Sequence, residues 1–191
     1  MLAIDFSKEI KSDRVFLRPL QESDFTEIQQ LPLDQDMWYY FTADLSDKKI
    51  LNNWLVQALE ELNNQKSLPF VIIDQPTNKI IGTTRISNIS TKDSRVEIGW
   101  TWLIKAAQNT GINAHVKQLL FKFLFEETPT TRIEFKTDVL NIAARKGMLK
   151  AGLVKEGILR SHTLMTNNRR RDTIYYSILK EEWQGLYSGK Y

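Results

Sequence analysis

The chain has 191 residues, of which 42% are hydrophobic and 26% charged, and its formal net charge is +3. This composition is typical of an ordinary globular protein, and we expect a single domain over 1–191 with its core at about 14–183. The absence of cysteine excludes disulfides, thiolate metal sites and a cysteine nucleophile. The N-terminus lacks the apolar region of a signal peptide, and no run approaches the roughly 20 apolar residues that span a bilayer. The sequence therefore predicts a cytoplasmic protein without a membrane partner.

The N-terminal part of the chain is predicted to contain one strand and two helices. The strand covers 15–20 and leads into a short helix at 21–30. The segment 34–45 has no regular period, and its cluster Trp38-Tyr39-Tyr40-Phe41 either fills the core or lines a binding pocket. Ser46 is predicted to cap the second helix, which has a continuous apolar stripe. The stripe consists of Ile50, Leu51, Trp54, Leu55, Ala58, Leu59 and Leu62.

Three consecutive strands, at 70–73, 79–86 and 96–104, are predicted to form an antiparallel meander. Apolar residues alternate in the third of these strands, which predicts that they lie on one face of the sheet. These residues are Val96, Ile98, Trp100 and Trp102. Glu97 is out of phase with them, so we expect its carboxylate on the opposite face.

A loop connects this strand to a long amphipathic helix, and it has the sequence Gln108-Asn109-Thr110-Gly111-Ile112-Asn113. The helix is indicated by apolar residues at helical spacing, which are Ile112, Val116, Leu119, Leu120 and Phe123. A helix start presents unpaired N–H groups and the positive end of the macrodipole, and Gly111 lets a ligand approach that backbone closely. The loop therefore predicts an anion site, with phosphate as the expected ligand.

The C-terminal part is predicted to complete the sheet. A fifth strand at 133–136 follows the long helix, and this crossover predicts that the fourth and fifth strands are parallel. A short helix at 141–151 is expected to end near Gly152, because glycine favours the helix C-cap. Two final strands, at about 153–165 and 171–181, are predicted to form a hairpin.

The turn of this hairpin contains the basic cluster Arg169-Arg170-Arg171. Such a cluster can bind RNA or an acidic surface, but the small net charge favours an ordinary solvated surface and argues against a nucleic-acid partner. His115 and His162 are far apart and lack metal-binding spacing, so no metal is expected. The phosphate-loop and dinucleotide fingerprints are also absent from the sequence.

Several separate motifs occur in order along the chain. They are Val15-Phe16-Leu17-Arg18-Pro19-Leu20, Glu97-Ile98-Gly99-Trp100, the loop at 108–113, Asn141 with Gly152-Leu153, Glu156-Gly157-Ile158-Leu159-Arg160, and Arg171-Asp172-Thr173 through Glu182-Trp183. Their order resembles the GNAT superfamily of N-acetyltransferases, and most closely its ribosomal-protein N-terminal (alanine/serine) acetyltransferase branch. The resemblance implies a mixed α+β fold with one central, mostly antiparallel seven-stranded sheet, a parallel fourth and fifth strand pair and about four helices. In this fold the fourth and fifth strands separate at one end, and the pantetheine arm of the cofactor enters the gap.

The resemblance also implies a reaction. Acetyl-CoA would donate an acetyl group to a primary amine, either a protein N-terminal α-amine or a small-molecule amine, which attacks the thioester directly. No metal is implied, and the protein would be a monomer or a homodimer.

The resemblance assigns several residues to the cofactor. Those that would bind the pyrophosphate are Gln108, Asn109, Thr110, Gly111, Ile112 and Asn113. A backbone N–H around Leu103 and Ile104 would stabilise the oxyanion. Asn141 is the motif asparagine, and the position and charge of Arg145 on the same helix suggest a contact with the adenosine 3′-phosphate.

Glu97 is the candidate general base, because several GNAT enzymes use a carboxylate on this strand. An equally weighted interpretation is a structural carboxylate that pairs with a neighbouring strand. Asp44 and Asp138 are weaker alternatives for the base.

The general acid is where the sequence departs from the family pattern. Counted from Asn141, the usual serine and tyrosine positions are occupied by Ala144 and Met148, neither of which can donate a proton. A thiol has a pKa of about 8.5, so its thiolate can leave with modest help. The departure motivates an alternative function, a catalytically weak or inactive CoA-binding regulatory module on the same fold.

Overall fold

The structure, a computed structural model, describes residues 2–166 and 168–187, without the side chain of Tyr187. Met1, Asn167 and residues 188–191 lie outside the described part. The strands are β1 (Ile10–Lys11), β2 (Val15–Pro19), β3 (Leu68–Asp74), β4 (Lys79–Ser90), β5 (Arg95–Leu103), β6 (Arg132–Asp138), β7 (Val154–Leu164) and β8 (Arg170–Leu179). The α-helices are α1 (Phe25–Gln29), α2 (Lys48–Asn63), α3 (Ile112–Glu127), α4 (Ile142–Lys150) and α5 (Lys180–Tyr187).

The strands form one sheet in the spatial order β1-β2-β3-β4-β5-β6-β8-β7. Neighbouring strands are antiparallel except β5 and β6, which are parallel and are connected through α3. This arrangement confirms the predicted meander, the parallel pair and the C-terminal hairpin. It also confirms the mixed α+β fold with a mostly antiparallel sheet.

The described sheet has eight strands rather than the predicted seven, and there are five α-helices rather than about four. The sequence pattern misses β1 because its two residues are too few to show alternation. It misses α5 because the last strand was expected to reach 181, whereas β8 ends at Leu179. There the Glu182 side chain accepts a hydrogen bond from the Leu179 N–H at 2.9 Å, which favours the start of a helix.

The start of α2 differs from the prediction. Asp47, not Ser46, is the N-cap, because its carboxylate accepts hydrogen bonds from the N–H groups of Lys49 and Ile50 at 2.8 and 2.9 Å. The Ser46 hydroxyl instead donates to Asp44. Leu51, Leu55 and Ala58 of the predicted stripe are buried, whereas Ile50 is 41% exposed.

α4 ends as predicted, because Gly152 follows it with a φ of 86° and the Leu153 N–H donates to the Met148 carbonyl oxygen at 3.1 Å. Among the described residues, no helix is both long enough and apolar enough to cross a membrane.

Each face of the sheet has its own hydrophobic cluster. α3 and α5 contribute to the larger cluster on one face, which includes Phe121, Ile133 and Trp183. α1 and α2 contribute to the smaller cluster on the other face, which includes Ile28 and Leu55. We refer to these two sides as the α3 face and the α2 face.

β5 contains a bulge at Trp100. The register with β4 passes from Arg85–Gly99 to Thr83–Trp102, so β5 uses one more residue than β4 over this interval. Trp100 has a φ of 51°, in the left-handed region. The bulge interrupts the regular alternation of the strand at its centre.

The bulge changes which face the later residues of β5 occupy. Val96 and Ile98 lie in the cluster of the α3 face, whereas Trp102 lies in the cluster of the α2 face. The predicted common face for these residues is therefore wrong, because strict alternation assumes a regular strand. Glu97 faces away from Val96 and Ile98 as predicted, but it shares the α2 face with Trp102.

Candidate functional site

β5 and β6 separate at one end and open a gap in the sheet. Their parallel register covers three residue pairs and ends at Glu97 and Glu134. β5 then continues to Leu103 and β6 to Asp138, and these two described stretches are not paired with each other. We refer to this opening as the gap. Backbone groups that face it can bind an extended ligand arm in the manner of an added strand.

The loop at 108–113 follows β5 at the open end of the gap. Gly111 is the N-cap of α3 and has a φ of 86°, a left-handed conformation that favours glycine. Gln108 Nε2 donates to the Leu103 carbonyl oxygen at 2.9 Å and fastens the loop to the end of β5. Gly111 is exposed, so the N–H groups of the first helical turn are open to a ligand. This geometry fits a phosphate group.

Arg14, from the turn between β1 and β2, lies against this loop. Its Nη2 donates to the Thr110 carbonyl oxygen, and its Nη1 lies 3.5 Å from where a Cβ on Gly111 would be. The same turn contacts α3 through Ser12 Oγ and His115 Nε2, which are 3.0 Å apart. A guanidinium beside the positive end of a helix favours a bound anion.

Lys117 lies one turn behind the loop on α3. Its side chain is buried, and its Nζ donates to Asn113 Oδ1 at 2.8 Å. Burial lowers the pKa of the Lys117 ammonium to about 8. The Asn113 side-chain oxygen is therefore engaged within the helix, and a second positive group lies close to the predicted anion site.

The oxyanion donor was expected to be a backbone N–H around Leu103 and Ile104, at the end of β5. The Ile104 N–H donates to the Ile81 carbonyl oxygen at 2.9 Å, so it is directed at β4. Neighbouring residues of a strand direct their N–H groups to opposite edges, which directs the Leu103 N–H at the gap. Leu103 therefore stays the candidate donor, and Ile104 is excluded by its hydrogen bond to β4.

Asn141 and Arg145 lie at the start of α4, beyond the end of β6. Asn141 caps the helix, because its Oδ1 accepts from the Ala144 N–H at 3.0 Å. Arg145 Nη1 donates to the Val139 carbonyl oxygen at 2.7 Å, and its Nε to the Tyr176 hydroxyl at 3.4 Å. Both side chains keep nitrogen donors that these bonds do not use, so their roles toward the cofactor stay predictions.

Glu97 is buried where the register between β5 and β6 ends. Its Oε2 accepts hydrogen bonds from Lys136 Nζ at 3.1 Å and Asn88 Nδ2 at 2.8 Å. Its Oε1 lies 3.4 Å from where a Cβ on Gly99 would be, and it accepts no hydrogen bond from the described residues. Glu97 thus pairs with a neighbouring strand through one oxygen, and its other oxygen has no hydrogen-bond donor among the described residues.

The two alternative carboxylates are engaged elsewhere. Asp44 accepts hydrogen bonds from the N–H and the hydroxyl of Ser46, ahead of α2. Asp138 is fully buried and forms an ion pair with Arg169 at 2.5 Å. These contacts favour Glu97 over both as the base.

The aromatic cluster at 38–41 divides between the core and the surface. Trp38 is 3% exposed and packs edge-on against Trp102 with ring centroids 5.8 Å apart, so it fills the core of the α2 face. Tyr39 is 50% exposed, and the Arg169 guanidinium lies 4.9 Å from its ring centroid. Because Arg169 also pairs with the end of β6, this contact fastens segment 34–45 beside the gap.

The three arginines of the hairpin do not form a common surface. Arg169 is used in the ion pair with β6, Arg170 Nε donates to the Ser161 hydroxyl at 3.0 Å, and Arg171 Nε donates to the Thr173 hydroxyl at 3.0 Å. Side chains alternate along β8, so Arg170 faces away from Arg171. The structure therefore gives no support to a joint RNA-binding patch.

Sequence reasoning missed Arg14 and Lys136 as site residues, and it considered Arg171 only as part of a motif and of the basic cluster. Arg14 contacts a loop that lies 96 residues further along the chain, and no local pattern connects the two. Lys136 and Arg171 occupy ordinary polar positions of strands, and only the register reveals their neighbours. Within residues 2–166 and 168–187, no group of histidine, aspartate and glutamate side chains could hold a metal ion.

Comparison with known proteins agrees with this geometry. Residues 14–154 match the family model of the acetyltransferase (GNAT) domain. The Bacillus subtilis (strain 168) protein YdaF, whose name assigns it provisionally as a ribosomal N-acetyltransferase, is 24% identical over 183 residues. That alignment covers 91% of this chain and 96% of YdaF.

Solved structures with the same fold include two N-acetyltransferases. A GCN5-related N-acetyltransferase from Brucella melitensis has a TM-score of 0.86 and 20% identity, with 98% of this chain and 85% of that chain covered. RimL, described as a ribosomal L7/L12 α-N-protein acetyltransferase in complex with coenzyme A, has a TM-score of 0.77 and 19% identity. That comparison covers 90% of this chain and 98% of RimL.

Proposed function

Because the chain belongs to the GNAT family and is an acetyl-CoA-dependent N-acetyltransferase, we propose that it acetylates a primary amine by direct attack on the thioester. The observation that carries this proposal is the gap between β5 and β6, which opens beside an exposed helix N-terminus and contains a carboxylate at its closed end. The acceptor is either a protein N-terminal α-amine or a small-molecule amine. The names of YdaF and RimL favour the first class.

The α3 side of the gap would hold the cofactor. Loop residues 108–113 offer backbone N–H groups to the pyrophosphate, and Arg14 adds a positive charge there. The unpaired edge of β5 would hold the pantetheine arm, with Asn141 and Arg145 across the open end of the gap, beyond the end of β6. When bound, acetyl-CoA supplies the acetyl group as a thioester.

The chemistry needs a base for the amine and a donor for the thioester oxygen. Glu97 Oε1 would take the proton that the amine loses, directly or through a water molecule. Lys136 and Asn88 hold the opposite oxygen and so fix the orientation of the carboxylate. The Leu103 N–H would donate to the oxygen on which negative charge develops.

No side chain of α4 at the usual positions can protonate the departing thiolate. Ala144 packs against the core of the α3 face, and Met148 is 7% exposed within it. The thiolate would therefore leave unassisted by α4 and take its proton from solvent, which its pKa of about 8.5 permits. The alternative, an inactive CoA-binding module, gains no support from the comparisons. The cytoplasmic location, the single domain and the choice between monomer and homodimer stay predictions.

A calorimetric titration with acetyl-CoA, followed by an assay of thiol release, tests the proposal. We expect saturable one-to-one binding, and then acetyl-CoA-dependent thiol release with some members of a panel of small amines and N-terminal peptides. The products should carry the acetyl group on nitrogen by mass spectrometry. Binding without turnover across the whole panel would overturn the proposed reaction, whereas absence of binding at millimolar ligand would overturn the site itself.

A further inference from the structure

The α2 face beside the gap brings together charged side chains of three strands. Lys136 contacts Glu97 of β5, and the register of β6 with β8 pairs Asp138 with Thr173. Arg171 lies two residues from Thr173 and therefore projects from the same face. These groups border the opening on the side opposite α3, from which an acceptor can approach Glu97.

The charges of this cluster are not balanced. Lys136 pairs with Glu97, and Arg169 pairs with Asp138. The Arg171 side chain forms no ion pair within 4 Å of a described carboxylate, and its one side-chain hydrogen bond goes from Nε to the Thr173 hydroxyl. The carboxylates of Asp138 and Glu97 act on this guanidinium, but each already forms an ion pair with another cation.

Arg171 is also buried, with only 6% of its surface exposed. Burial lowers the pKa of its guanidinium, although arginine stays protonated in proteins. A buried cation whose nearby carboxylates each pair with another cation is incompletely compensated, and a carboxylate that binds it in two-pronged geometry would relieve this cost. The two Nη atoms of Arg171 are not used by the described residues, so they are available for such a contact.

The other groups around Arg171 suit a polar ligand. His162 Nδ1 lies 3.1 Å from Thr173 Oγ1, and the His162 ring packs edge-on against Tyr175. The two nearby carboxylates already accept hydrogen bonds from Lys136 and Arg169, so their charges are largely compensated. The remaining charge of the cluster is positive, which favours an acceptor that contributes a negative group.

We propose that Arg171 binds a carboxylate of the acceptor, so that the preferred substrate is an amine that also carries a carboxylate. An acidic residue near a peptide N-terminus and the α-carboxylate of a free amino acid share this chemistry. The inference rests on the proposed function, because it concerns the acceptor of that same reaction.

Matched acceptors test the inference. Tetrapeptide amides with glutamate at the first, second or third position are compared with the corresponding glutamine peptides, and free alanine is compared with alaninamide. For wild-type protein we expect kcat/KM about tenfold to a hundredfold higher for one acidic member than for its neutral counterpart. The pair that shows the preference distinguishes a peptide side chain from a free α-carboxylate.

Substitutions assign the preference to Arg171. Arg171→Met should reduce the acid-to-amide ratio to about one, mainly by lowering kcat/KM for the acidic acceptor, and Arg171→Lys should restore part of it. Arg170→Met is the matched control, because Arg170 is exposed and faces away from the site. This control should keep the wild-type ratio. Circular dichroism and calorimetric binding of acetyl-CoA show whether each variant is folded.

The outcomes separate the inference from the proposed function. Turnover of acidic and neutral acceptors at equal rates would overturn the inference and leave the N-acetyltransferase reaction intact. Retention of the acid preference in folded Arg171→Met would also overturn it. Binding of acetyl-CoA without turnover of any acceptor would overturn the proposed reaction and the inference together.

Discussion

The two sides of the gap are built in different ways. On the α3 side, the groups proposed to bind the cofactor are mainly backbone N–H groups of a short continuous stretch, residues 108–113 and the end of β5. On the α2 side, the groups proposed to face the acceptor are side chains from β5, β6 and β8, and most of them form ion pairs. Backbone donors suit a ligand that is always the same, whereas side chains can be exchanged to suit a particular acceptor.

Glu97→Gln tests the acceptor side most severely. We expect kcat to fall about a hundredfold to ten-thousandfold, because glutamine cannot accept the proton of the amine, while acetyl-CoA affinity changes little. Steady-state rates of thiol release and calorimetric titrations measure the two effects.

Glu134→Gln is the matched control for this change. Glu134 is paired with Glu97 in the register, but its carboxylate contacts Arg95 and Arg132. Its replacement should leave kcat within a few fold of wild type. Equal losses in both variants would indicate that Glu97 has only a structural role.

Gly111→Val tests the cofactor side. The left-handed backbone at Gly111 disfavours a branched residue, and a side chain there would enter the anion site beside Arg14, so acetyl-CoA affinity should fall about a hundredfold or more. Gly157→Val is the control, because a Cβ on Gly157 meets no atom within 4 Å. Wild-type affinity in Gly111→Val would exclude the loop as the phosphate site.

Lys117→Met tests how a buried charge on the cofactor side affects the free energy of unfolding. The folded pKa of Lys117, about 8, lies below its ordinary value of 10.5. Between these values the unfolded chain binds more protons than the folded chain, so stability rises with pH from about 8 to 10.5 and is lowest below 8. Methionine removes the buried charge and should raise the free energy of unfolding at pH 7 by on the order of 2–3 kcal/mol.

Urea unfolding at several pH values measures this effect. The variant should lose the rise in stability above pH 8 that wild type shows, whereas Lys146→Met, at an exposed position of α4, should retain it. Parallel stability profiles for wild type and Lys117→Met would contradict the expected burial of the charge.

Arg145→Glu should give the smallest effect. Arg145 already donates to Val139 and Tyr176, so only part of its guanidinium remains for the adenosine 3′-phosphate. We expect about a tenfold loss of affinity for CoA and a smaller loss for dephospho-CoA, which lacks that phosphate. Lys146→Glu is the neighbouring control. Equal losses for both ligands would remove Arg145 from the phosphate site.

The same contrast explains what the sequence could predict. The loop at 108–113 and the helix after it show their roles locally, because glycine and helical periodicity occur within one short stretch. The parallel pair followed from the crossover through α3. These features depend on residues that are close together in sequence. The structure contains the predicted strand, loop and helix between residues 95 and 127.

The acceptor side could not be predicted in this way. Lys136 and Arg171 become neighbours of Glu97 only through the register of three strands. The bulge at Trp100 was also hidden, since a single extra residue leaves the apolar pattern of β5 unchanged while it exchanges the faces. The N-cap at Asp47 rather than Ser46 is a smaller error of the same kind, because two adjacent residues were both competent to cap α2.

The extra residue at Trp100 divides β5 into two segments. Side chains alternate between the two faces of the sheet in opposite phase in these segments. In the segment before Trp100, a shift of the register by one residue would turn the Glu97 carboxylate into the core of the α3 face. In the segment after Trp100, Trp102 and Leu103 lie in the clusters of opposite faces. The proposed base and the proposed oxyanion donor therefore lie in different segments of the strand, on opposite sides of the bulge.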